Sequence, residues 1–276
     1  MKIGVVCKPG SPEALDLASR VIRYVESKGI DAYLDNRLSE SLRWDKFFEL
    51  GRDRVDYIII IGGDGTVLRT LHLLGDNVIP IITIRYGKRG FLCDVAPFEY
   101  KSVIDRLLEG RYRLVEYMRL SGEVKGRYRL NYILNDYVIT TAGAARAKVA
   151  RVHVMKNNEP VYYLVGDGVI VAPPLGSTAY NLAAGGPVID PEMHAIIVTP
   201  LAPITFCSRT VVLPPSTSVR IIVSKDSPKL VLIGDGAFTI ELDKGDEVII
   251  RKAPTNAVFA RFFMRDFYVK LFERCM

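Results

Sequence analysis

The residues with the clearest chemical potential in this sequence form a glycine-rich turn after an apolar run. Ile58–Ile61 is continuously apolar, and Gly62–Thr66, with the sequence Gly-Gly-Asp-Gly-Thr, follows it directly. Glycines let backbone amides approach a phosphate without hindrance from Cβ atoms, and the dipole of a following helix favours the anion. The turn therefore predicts a nucleotide or phosphate site made by Gly62, Gly63, Gly65 and Thr66.

Asp64 is the unusual member of this turn. A carboxylate would repel a bound phosphate unless it binds a metal ion or a hydroxyl group, so we interpret Asp64 as a functional residue. The alternative is an Asp that only caps the next helix. The sequence contains neither the GxxxxGK[ST] pattern of a P-loop nor a GxGxxG pattern after its first strand, so two common nucleotide-binding motifs are excluded.

A second segment with chemical potential is long, running from Gly166 to Pro187. A strand-like stretch leads into Pro173-Pro174, then into small polar residues with Tyr180, and ends at Gly-Gly-Pro. Small residues allow a flat ring to approach closely, and a Tyr can stack on a base. Taken alone, a helix beginning that is capped by Ser177 or Thr178 explains these residues equally well.

The elements that position the first turn alternate between strand and helix patterns over about the first 95 residues. Such alternation predicts a parallel sheet covered by helices. The predicted strands are Ile3–Cys7, Ile30–Leu34, Val55–Ile61 and Val78–Ile84. The predicted helices run from Ser11 to Ser27, from Leu38 to Leu50, after the glycine turn, and from about Pro97 to Glu109.

The pattern then changes to short strands separated by turns, which predicts an all-β second domain, a β-sandwich. The strand-like stretches are Arg111–Val124, Arg127–Thr141, Lys148–Lys156, Val161–Val165, Val169–Ala172, Val211–Leu213, Ser218–Val223, Leu230–Ile233, Phe238–Leu242 and Glu247–Arg251. Phe259–Glu273 has some helical periodicity, and we expect it to return to the first domain. The predicted domains are 1–97 joined by 256–276, and 98–255.

Composition fits an ordinary globular protein. The chain has 276 residues, of which 49% are hydrophobic and 25% charged, with a net charge of +6. Disorder and coiled coil are excluded, and no apolar stretch is long enough for a membrane helix. No block of five basic residues occurs, so we expect neither nucleic acid nor membrane as partner. The N-terminal residues run straight into a strand pattern, and the four isolated cysteines fit reduced thiols, so we expect a cytoplasmic protein.

Taken together and in order, the motifs resemble those of the NAD kinases. The resemblance rests on the Gly62–Thr66 turn, Gly90-Phe91-Leu92 with Asp94, Leu134-Asn135-Asp136, the segment from Gly166 to Pro191, and Arg209 before Val211–Leu213 and Pro214-Pro215. The turn alone also occurs in diacylglycerol kinases, sphingosine kinases and phosphofructokinases. The chain departs from the family in three places: Asp136 stands where Glu is frequent, Pro173–Gly176 replaces Thr-Pro-Thr-Gly, and Ala183 replaces a Ser.

The resemblance implies a phosphofructokinase-like first domain and a phosphotransferase with an alcohol group as acceptor. The reaction would transfer the γ-phosphoryl group of ATP to the 2′-hydroxyl of the adenosine ribose of NAD, giving NADP. ATP is the implied donor, and Mg²⁺ or another divalent metal the implied cofactor. Asp64 would act on the reacting hydroxyl, either as base or through the metal. The residues implied to bind NAD are Asn135, Asp136, Asp167, Thr178, Ala179, Tyr180, Ala183 and Asp235.

The residues themselves support one of these assignments and offer an alternative to another. Asp136 lies between two strand-like runs with no Lys or Arg within four residues, and a buried carboxylate needs donors that a ribose diol would supply. For Asp235, in Gly234-Asp235-Gly236, a plain β-turn is an equally good explanation.

The family resemblance also implies a homodimer or homotetramer, in which Asp167 would reach the dinucleotide of a neighbouring subunit. The alternatives are a lipid kinase of the diacylglycerol or sphingosine type that shares the turn, and a non-catalytic NADP(H)-binding module. The presence of Asp64 argues against the module.

Overall fold

The protein forms two compact units in a computed structural model that describes residues 1–86, 90–142, 148–263 and 267–275. The first unit contains Met1–Glu116 and the segment that begins at Ala257, and the second is Tyr117–Asn256. The first unit extends beyond the predicted boundary at residue 97, because the helix that follows packs Val103, Ile104 and Leu107 into its core.

The first unit is built around one sheet with helices. Its elements up to the boundary are β1 (Lys2–Cys7), α1 (Pro12–Ser27), β2 (Asp31–Asp35), β3 (Phe47–Phe48), β4 (Tyr57–Gly62), α2 (Asp64–Leu74), β5 (Ile81–Arg85), α3 (Tyr100–Leu108) and β6 (Arg113–Tyr117). Ser11 caps α1 by accepting a hydrogen bond from the backbone N–H of Ala14, and Pro12 occupies the first helical position. Gly29, with φ of +75°, follows the helix.

The helix predicted over Leu38–Leu50 is wrong. Only Asn36–Leu38 forms a 3₁₀ turn, and Phe47 and Phe48 pair as β3 with Leu34 and Asp35 of β2. The indole N–H of Trp44 donates to the carbonyl of Ala32 at 3.0 Å. Burial of these aromatic rings against the sheet outweighs the weak helix preference of the segment.

The strand order of the sheet creates a binding crevice. The order is β3-β2-β1-β4-β5, followed by a strand from the C-terminal segment and then β6. The pairs from β3 to β5 are all parallel. From β1 the chain proceeds outward first toward β3 and later toward β5, so the order reverses between β1 and β4. Ligands of open α/β sheets bind outside the carboxyl ends of the strands at such a reversal.

The second unit is a β-sandwich, as predicted. Its elements are β7 (Leu120–Val124), β8 (Tyr128–Ile133), β9 (Tyr137–Thr141), β10 (Ala150–Lys156), β11 (Glu159–Gly166), β12 (Gly168–Ala172), α4 (Tyr180–Ala183), β13 (Ile196–Leu201), β14 (Val211–Leu213), β15 (Val219–Val223), β16 (Leu230–Gly234), β17 (Phe238–Leu242) and β18 (Glu247–Lys252). The two sheets have the orders β11-β10-β15-β18-β7-β8 and β14-β13-β12-β9-β16-β17, and apolar residues of both form one core.

The C-terminal segment completes the first unit. β19 (Ala257–Arg261) pairs parallel with β5, and α5 (Phe267–Cys275) follows. The beginning of the segment is therefore a strand, although the sequence shows some helical periodicity, because it lies between β5 and β6 in the sheet. Residues 264–266 lie outside the described residues. No helix among the described residues has the length and hydropathy needed to cross a membrane.

Candidate active site

A cavity of about 500 Å³ lies at the point where the strand order of the first sheet reverses. Its walls come from the carboxyl end of β1, the segments that follow β1 and β2, the residue after β4, α2, and the residue after β5. The lining residues are Val6, Cys7, Lys8, Pro9, Arg37, Gly63, Gly65, Thr66, Arg69, Thr70 and Tyr86. Three of the glycine-turn residues assigned from the sequence, Gly63, Gly65 and Thr66, therefore share one cavity.

Three cationic side chains line the same cavity: Lys8, Arg37 and Arg69. None of the three was predicted from the sequence, because the residue type of an isolated Lys or Arg carries no local signal. For Lys8 a usable signal existed, since it directly follows a buried strand in a parallel sheet. Arg37 is also bonded to the buried carboxylate of Asp35. Lys and Arg next to a helix N-terminus form a site suited to phosphate groups.

The glycines of the turn differ in function. A Cβ atom on Gly62 would collide with the side chain of Thr66, so Gly62 permits the packing of the turn. A Cβ atom on Gly63 or Gly65 would meet no protein atom within 4 Å. Gly62 is not among the lining residues of the cavity, whereas Gly63 and Gly65 are. The open space at these two glycines is available to a ligand.

Asp64 is the first residue of α2, and its carboxylate contacts the backbone of a distant loop. Oδ2 accepts a hydrogen bond from the N–H of Phe91 at 2.7 Å, and Oδ1 accepts one from the N–H of Leu92 at 2.9 Å. A Cβ atom on Gly90 would collide with the same carboxylate. Asp64 is not among the residues that line the 500 Å³ cavity. Each oxygen keeps a lone pair for a further partner.

A second cavity, of about 900 Å³, lies within the β-sandwich unit. It contains six of the eight residues that the sequence assigned to NAD binding. The lining residues are Asn135, Asp136, Val138, Thr140, Thr141, Asp167, Tyr180, Ala183, Ala184, Leu201, Ala202, Ile233, Asp235 and Gly236. The apolar and hydroxyl-bearing lining residues of β9, β13 and β16 were missed, because only the pairing of distant strands brings them together.

Asp136 is a cavity residue whose carboxyl has a raised pKa. Its side chain is buried, and the pKa is raised to about 7, first by desolvation and then by the neighbouring carboxylate of Asp235. The backbone N–H of Tyr180 donates to it, which lowers the pKa in part. None of the ion pairs found among the described residues involves Asp136. The ionised form of a buried carboxylate without an ion-pair partner is stabilised when a ligand supplies hydrogen-bond donors.

Asp235 holds the turn that carries Asn135 and Asp136. Its carboxylate accepts hydrogen bonds from the backbone N–H groups of Leu134, Asn135 and Asp136, at 3.0, 2.8 and 3.1 Å. Its own N–H donates to the carbonyl of Asp136 at 2.9 Å. Asp235 therefore fixes the backbone of the turn between β8 and β9 while lining the cavity.

The Gly176–Ala183 segment packs tightly behind the cavity. A Cβ atom on Gly176 would collide with the carbonyl of Asn135. Asn181 is buried and donates to the carbonyls of Ser177 and Pro187. These contacts hold Tyr180, whose side chain is half exposed, at the cavity.

Thr178 and Ala179, which the sequence assigned to the wall for a base, are not among the residues that line this cavity. The hydroxyl of Thr178 is buried and donates to the carbonyl of Leu175 at 3.3 Å.

Asp167 lies between two glycines that the fold requires. Gly168 has φ of +156°, and a Cβ atom on it would collide with the carbonyl of Ile139. A Cβ atom on Gly166 would lie 2.8 Å from the carbonyl oxygen of Leu201. The backbone of Asp167 is fixed from both sides, by Thr140 Oγ1 donating to its carbonyl and by its N–H donating to Leu201. Its side chain is exposed at the cavity.

Comparison with known proteins matches both units to domains of one protein family. Residues 3–112 match the model of the ATP-NAD kinase N-terminal domain, and residues 134–262 match that of the ATP-NAD kinase C-terminal domain. The chain is 36% identical over 277 residues to the NAD kinase of Aeropyrum pernix, covering 99% of this chain and 98% of that protein.

Two solved structures have the same fold. The crystal structure of an NAD kinase from Archaeoglobus fulgidus in complex with ATP aligns with a TM-score of 0.78 and 25% identity, covering 99% of this chain and 98% of that one. Yeast NADH kinase complexed with NADH aligns with a TM-score of 0.86 and 22% identity, covering 99% and 86%. With both domain models matched and a close relative aligned over almost its full length, the chain belongs to the ATP-NAD kinase family.

Proposed function

We propose that this chain transfers the γ-phosphoryl group of ATP to the 2′-hydroxyl of the adenosine ribose of NAD, giving NADP. The observation that carries the proposal is the 900 Å³ cavity, where Asp136 and Tyr180 meet in a chain of the NAD kinase family. A lipid kinase does not account for this polar cavity or for the match to the C-terminal domain of NAD kinases.

In this proposal the cavity of the second unit binds NAD. Asp136 accepts hydrogen bonds from the vicinal hydroxyls of a ribose, Asn135 contacts the same nucleoside, and Tyr180 stacks on a base. Ala183 lets the dinucleotide approach closely, where many family members have Ser. Asp167 contacts the dinucleotide from its exposed position. Asp235 holds the turn that carries Asn135 and Asp136.

The cavity at the strand reversal binds the phosphates of ATP. The amides of Gly63, Gly65 and Thr66 and the positive end of α2 stabilise the anion. Lys8 and Arg69 supply positive charge, and Arg37 adds more although Asp35 neutralises part of it. Such neutralisation and positioning are the main contributions that a protein makes to phosphoryl transfer.

Asp64 acts on the reacting hydroxyl. The 2′-oxygen of NAD forms a bond to the γ-phosphorus while the bond from that phosphorus to the β,γ-bridging oxygen breaks, and ADP leaves. The proton of the 2′-hydroxyl passes to the Asp64 carboxylate or, if Asp64 binds a metal, to solvent. The N–H groups of Phe91 and Leu92 donate to the Asp64 carboxylate and hold its oxygens in a fixed orientation.

The residues present fit a divalent cation that arrives with ATP. No group of three or more His, Cys, Asp or Glu side chains able to hold a metal occurs in the part of the chain that the structure describes. Mg²⁺ is commonly bound by only one or two carboxylates together with substrate phosphates and water. Asp64 is the carboxylate that would hold it, and the ion would neutralise charge on the transferring phosphoryl group.

The compartment proposed is the cytoplasm. Cys7, Cys93 and Cys207 are free thiols, as expected in a reducing environment.

The test of the proposed function is NADP formation by the purified full chain with NAD, ATP and Mg²⁺. A strictly NADP-dependent dehydrogenase detects the product, and ³¹P NMR identifies a 2′-phosphomonoester. Parallel reactions replace NAD by NADH, ATP by inorganic polyphosphate, and Mg²⁺ by a chelator. ATP-dependent appearance of NADP supports the proposal. Binding of NAD and NADP without any turnover would replace it with the non-catalytic module.

A further inference from the structure

The loop that holds Asp64 is itself held by the C-terminal segment of the chain. The N–H groups of Phe91 and Leu92 donate to the Asp64 carboxylate. The orientation of that carboxylate therefore depends on the orientation of two neighbouring residues of the loop. Any group that fixes this backbone also fixes the carboxylate.

The carbonyl groups of the same two residues are bound by cations from the C-terminal segment. Lys270 Nζ, on α5, donates to the carbonyl of Phe91 at 3.4 Å, and Arg261 Nη1, at the end of β19, donates to the carbonyl of Leu92 at 3.1 Å. Thr83, on β5, also donates to the Leu92 carbonyl, at 3.0 Å. The loop backbone thus donates to Asp64 on one side and accepts from the C-terminal segment on the other.

Asp94 ties the two cations together. Its carboxylate forms ion pairs with both Lys270 and Arg261, and both Asp94 and Arg261 are less than 10% exposed. In a variant with a neutral side chain at position 270, Asp94 would still form an ion pair with Arg261. Removing the charge of Lys270 therefore leaves Asp94 with a positively charged partner. The ring of Phe91 also packs edge to face on Phe267 of α5, with ring centres 5.2 Å apart. Charge and packing both connect α5 to the loop.

We propose that Lys270 is a positioning residue, which orients the catalytic carboxylate of Asp64 through the backbone of Phe91 and Leu92. Lys270 does not contact Asp64 in a hydrogen bond and has no role in binding NAD. Its side chain is mostly buried beside Cys93, Arg85 and Asp64, where desolvation lowers its pKa. The expected fall in kcat rests on the proposed function. The expected change in the backbone of Phe91 and Leu92 does not depend on any reaction.

The test compares Lys270→Met, which keeps the length of the side chain and removes its charge, with Lys270→Arg. Val269→Ser is the matched control, because Val269 is the preceding residue on α5 and is exposed. Hydrogen–deuterium exchange measures the amides of Phe91 and Leu92, and steady-state kinetics gives kcat and KM for NAD. In Lys270→Met we expect exchange of these amides at least tenfold faster and kcat at least tenfold lower, with KM for NAD within twofold of wild type.

Lys270→Arg should restore kcat to within about threefold of wild type, and Val269→Ser should change neither measurement. If Lys270 had only a structural role, Lys270→Met would lower the melting temperature, and kcat would not fall separately from a change in KM. That result would overturn the proposal. Unchanged amide exchange in Lys270→Met would also overturn it, whether or not the wild type makes NADP. Failure of the proposed function is recognised separately, because then the wild type itself forms no NADP.

Discussion

Asp136 makes the pH dependence of NAD binding a test of its role. The pKa of its carboxyl is raised to about 7, so the unliganded fold favours the protonated form. A ribose diol donates to the ionised form, so NAD affinity should rise as pH increases from 6 and level off above 7. Without ligand, stability should instead fall as pH rises from about 4 to 7, because the unfolded carboxyl ionises first. Calorimetric titration with NAD and thermal melting across this pH range measure both trends.

Variants at Asp136 separate its charge from its shape. Asp136→Asn should remove the pH dependence of NAD binding, and Asp136→Ala should weaken affinity roughly ten- to a hundredfold, as for loss of a hydrogen bond to a charged acceptor. Asp136→Glu restores the residue that is frequent in the family and should be tolerated best. If wild type and Asp136→Asn bind NAD with the same pH profile, the diol is bound elsewhere.

Two glycines near Asp64 predict opposite behaviour when each is replaced by Ala. In Gly65→Ala the new methyl group meets no protein atom within 4 Å, so the melting temperature should stay the same or rise, since Ala favours a helix. ATP affinity should fall by roughly tenfold, about 1.4 kcal/mol, because the methyl group enters the space for phosphate. Gly90→Ala would collide with the Asp64 carboxylate and should lower both melting temperature and kcat. Unchanged ATP affinity in Gly65→Ala would move the phosphate site away from this turn.

Asp64 and Asp136 were predicted from the sequence because a carboxylate conflicts with the residues around it at each position. A carboxylate inside an anion-binding turn and a carboxylate between strand-like runs both stand out locally, and the structure shows Asp64 and Asp136 in polar, partly or wholly buried surroundings. Lys8 and Arg37 were not found in this way, because a single basic residue does not conflict with its setting. For Lys8, the only usable signal was its position directly after a buried strand. Thr178 was assigned to a binding wall only because the family resemblance implied it, whereas in the fold its hydroxyl donates to the carbonyl of Leu175.

At the scale of elements, the turn between β8 and β9 depends on a side chain about 100 residues away. Asp235→Ala removes the acceptor of three backbone N–H groups and places Ala at a φ of +49°. Each donor left without a partner costs ~1–3 kcal/mol when buried. We expect a clear loss of melting temperature and at least a tenfold loss of NAD affinity, with Asp235→Asn intermediate. Asp226→Ala, in an exposed turn, serves as the control, and an equal effect there would make the role of Asp235 unspecific.

Elements with strong local signals were predicted correctly, whereas β3 and β19, which depend on distant partners, were not. The helix α1 has a cap, a proline and a terminating glycine within its own sequence, and it forms as predicted. Phe47 and Phe48 form a strand only because β2 offers an edge, which the local sequence does not reveal. The same holds for β19, which is defined by its pairing with β5.

At the scale of the whole molecule, the predicted combination of an α/β unit and a β-sandwich unit is confirmed. By composition alone the apolar run Ile196–Phe206 would suit a subunit interface, but most of it is buried within one chain. Ile196–Leu201 is the buried strand β13 within one chain, and only the end of the run is exposed, with Ile204 and Phe206 at 69% and 84%. The sequence overestimated this surface because a buried strand and an interface have the same composition.

We still propose a homodimer or homotetramer, now supported only by the exposed pair Ile204 and Phe206 and by the family resemblance. Light scattering of the wild type at assay concentrations should give a mass at least twice that of the chain. Ile204→Ser with Phe206→Ser should lower this mass if the pair lies at the interface. A fully active monomer would contradict the proposal, and with it any contribution of Asp167 to a neighbouring subunit.

The measurement that tests the central claim most directly is the rate of NADP formation by Asp64→Asn beside its affinity for NAD. Asn keeps one acceptor oxygen, so one of the N–H groups of Phe91 and Leu92 loses its partner and a small decrease in melting temperature is expected. General acid–base help is worth roughly 10²- to 10⁴-fold, so kcat should fall by about that factor while NAD affinity stays within twofold. A fall of less than tenfold in kcat, with NAD still bound, would contradict the assignment of Asp64 as the catalytic residue.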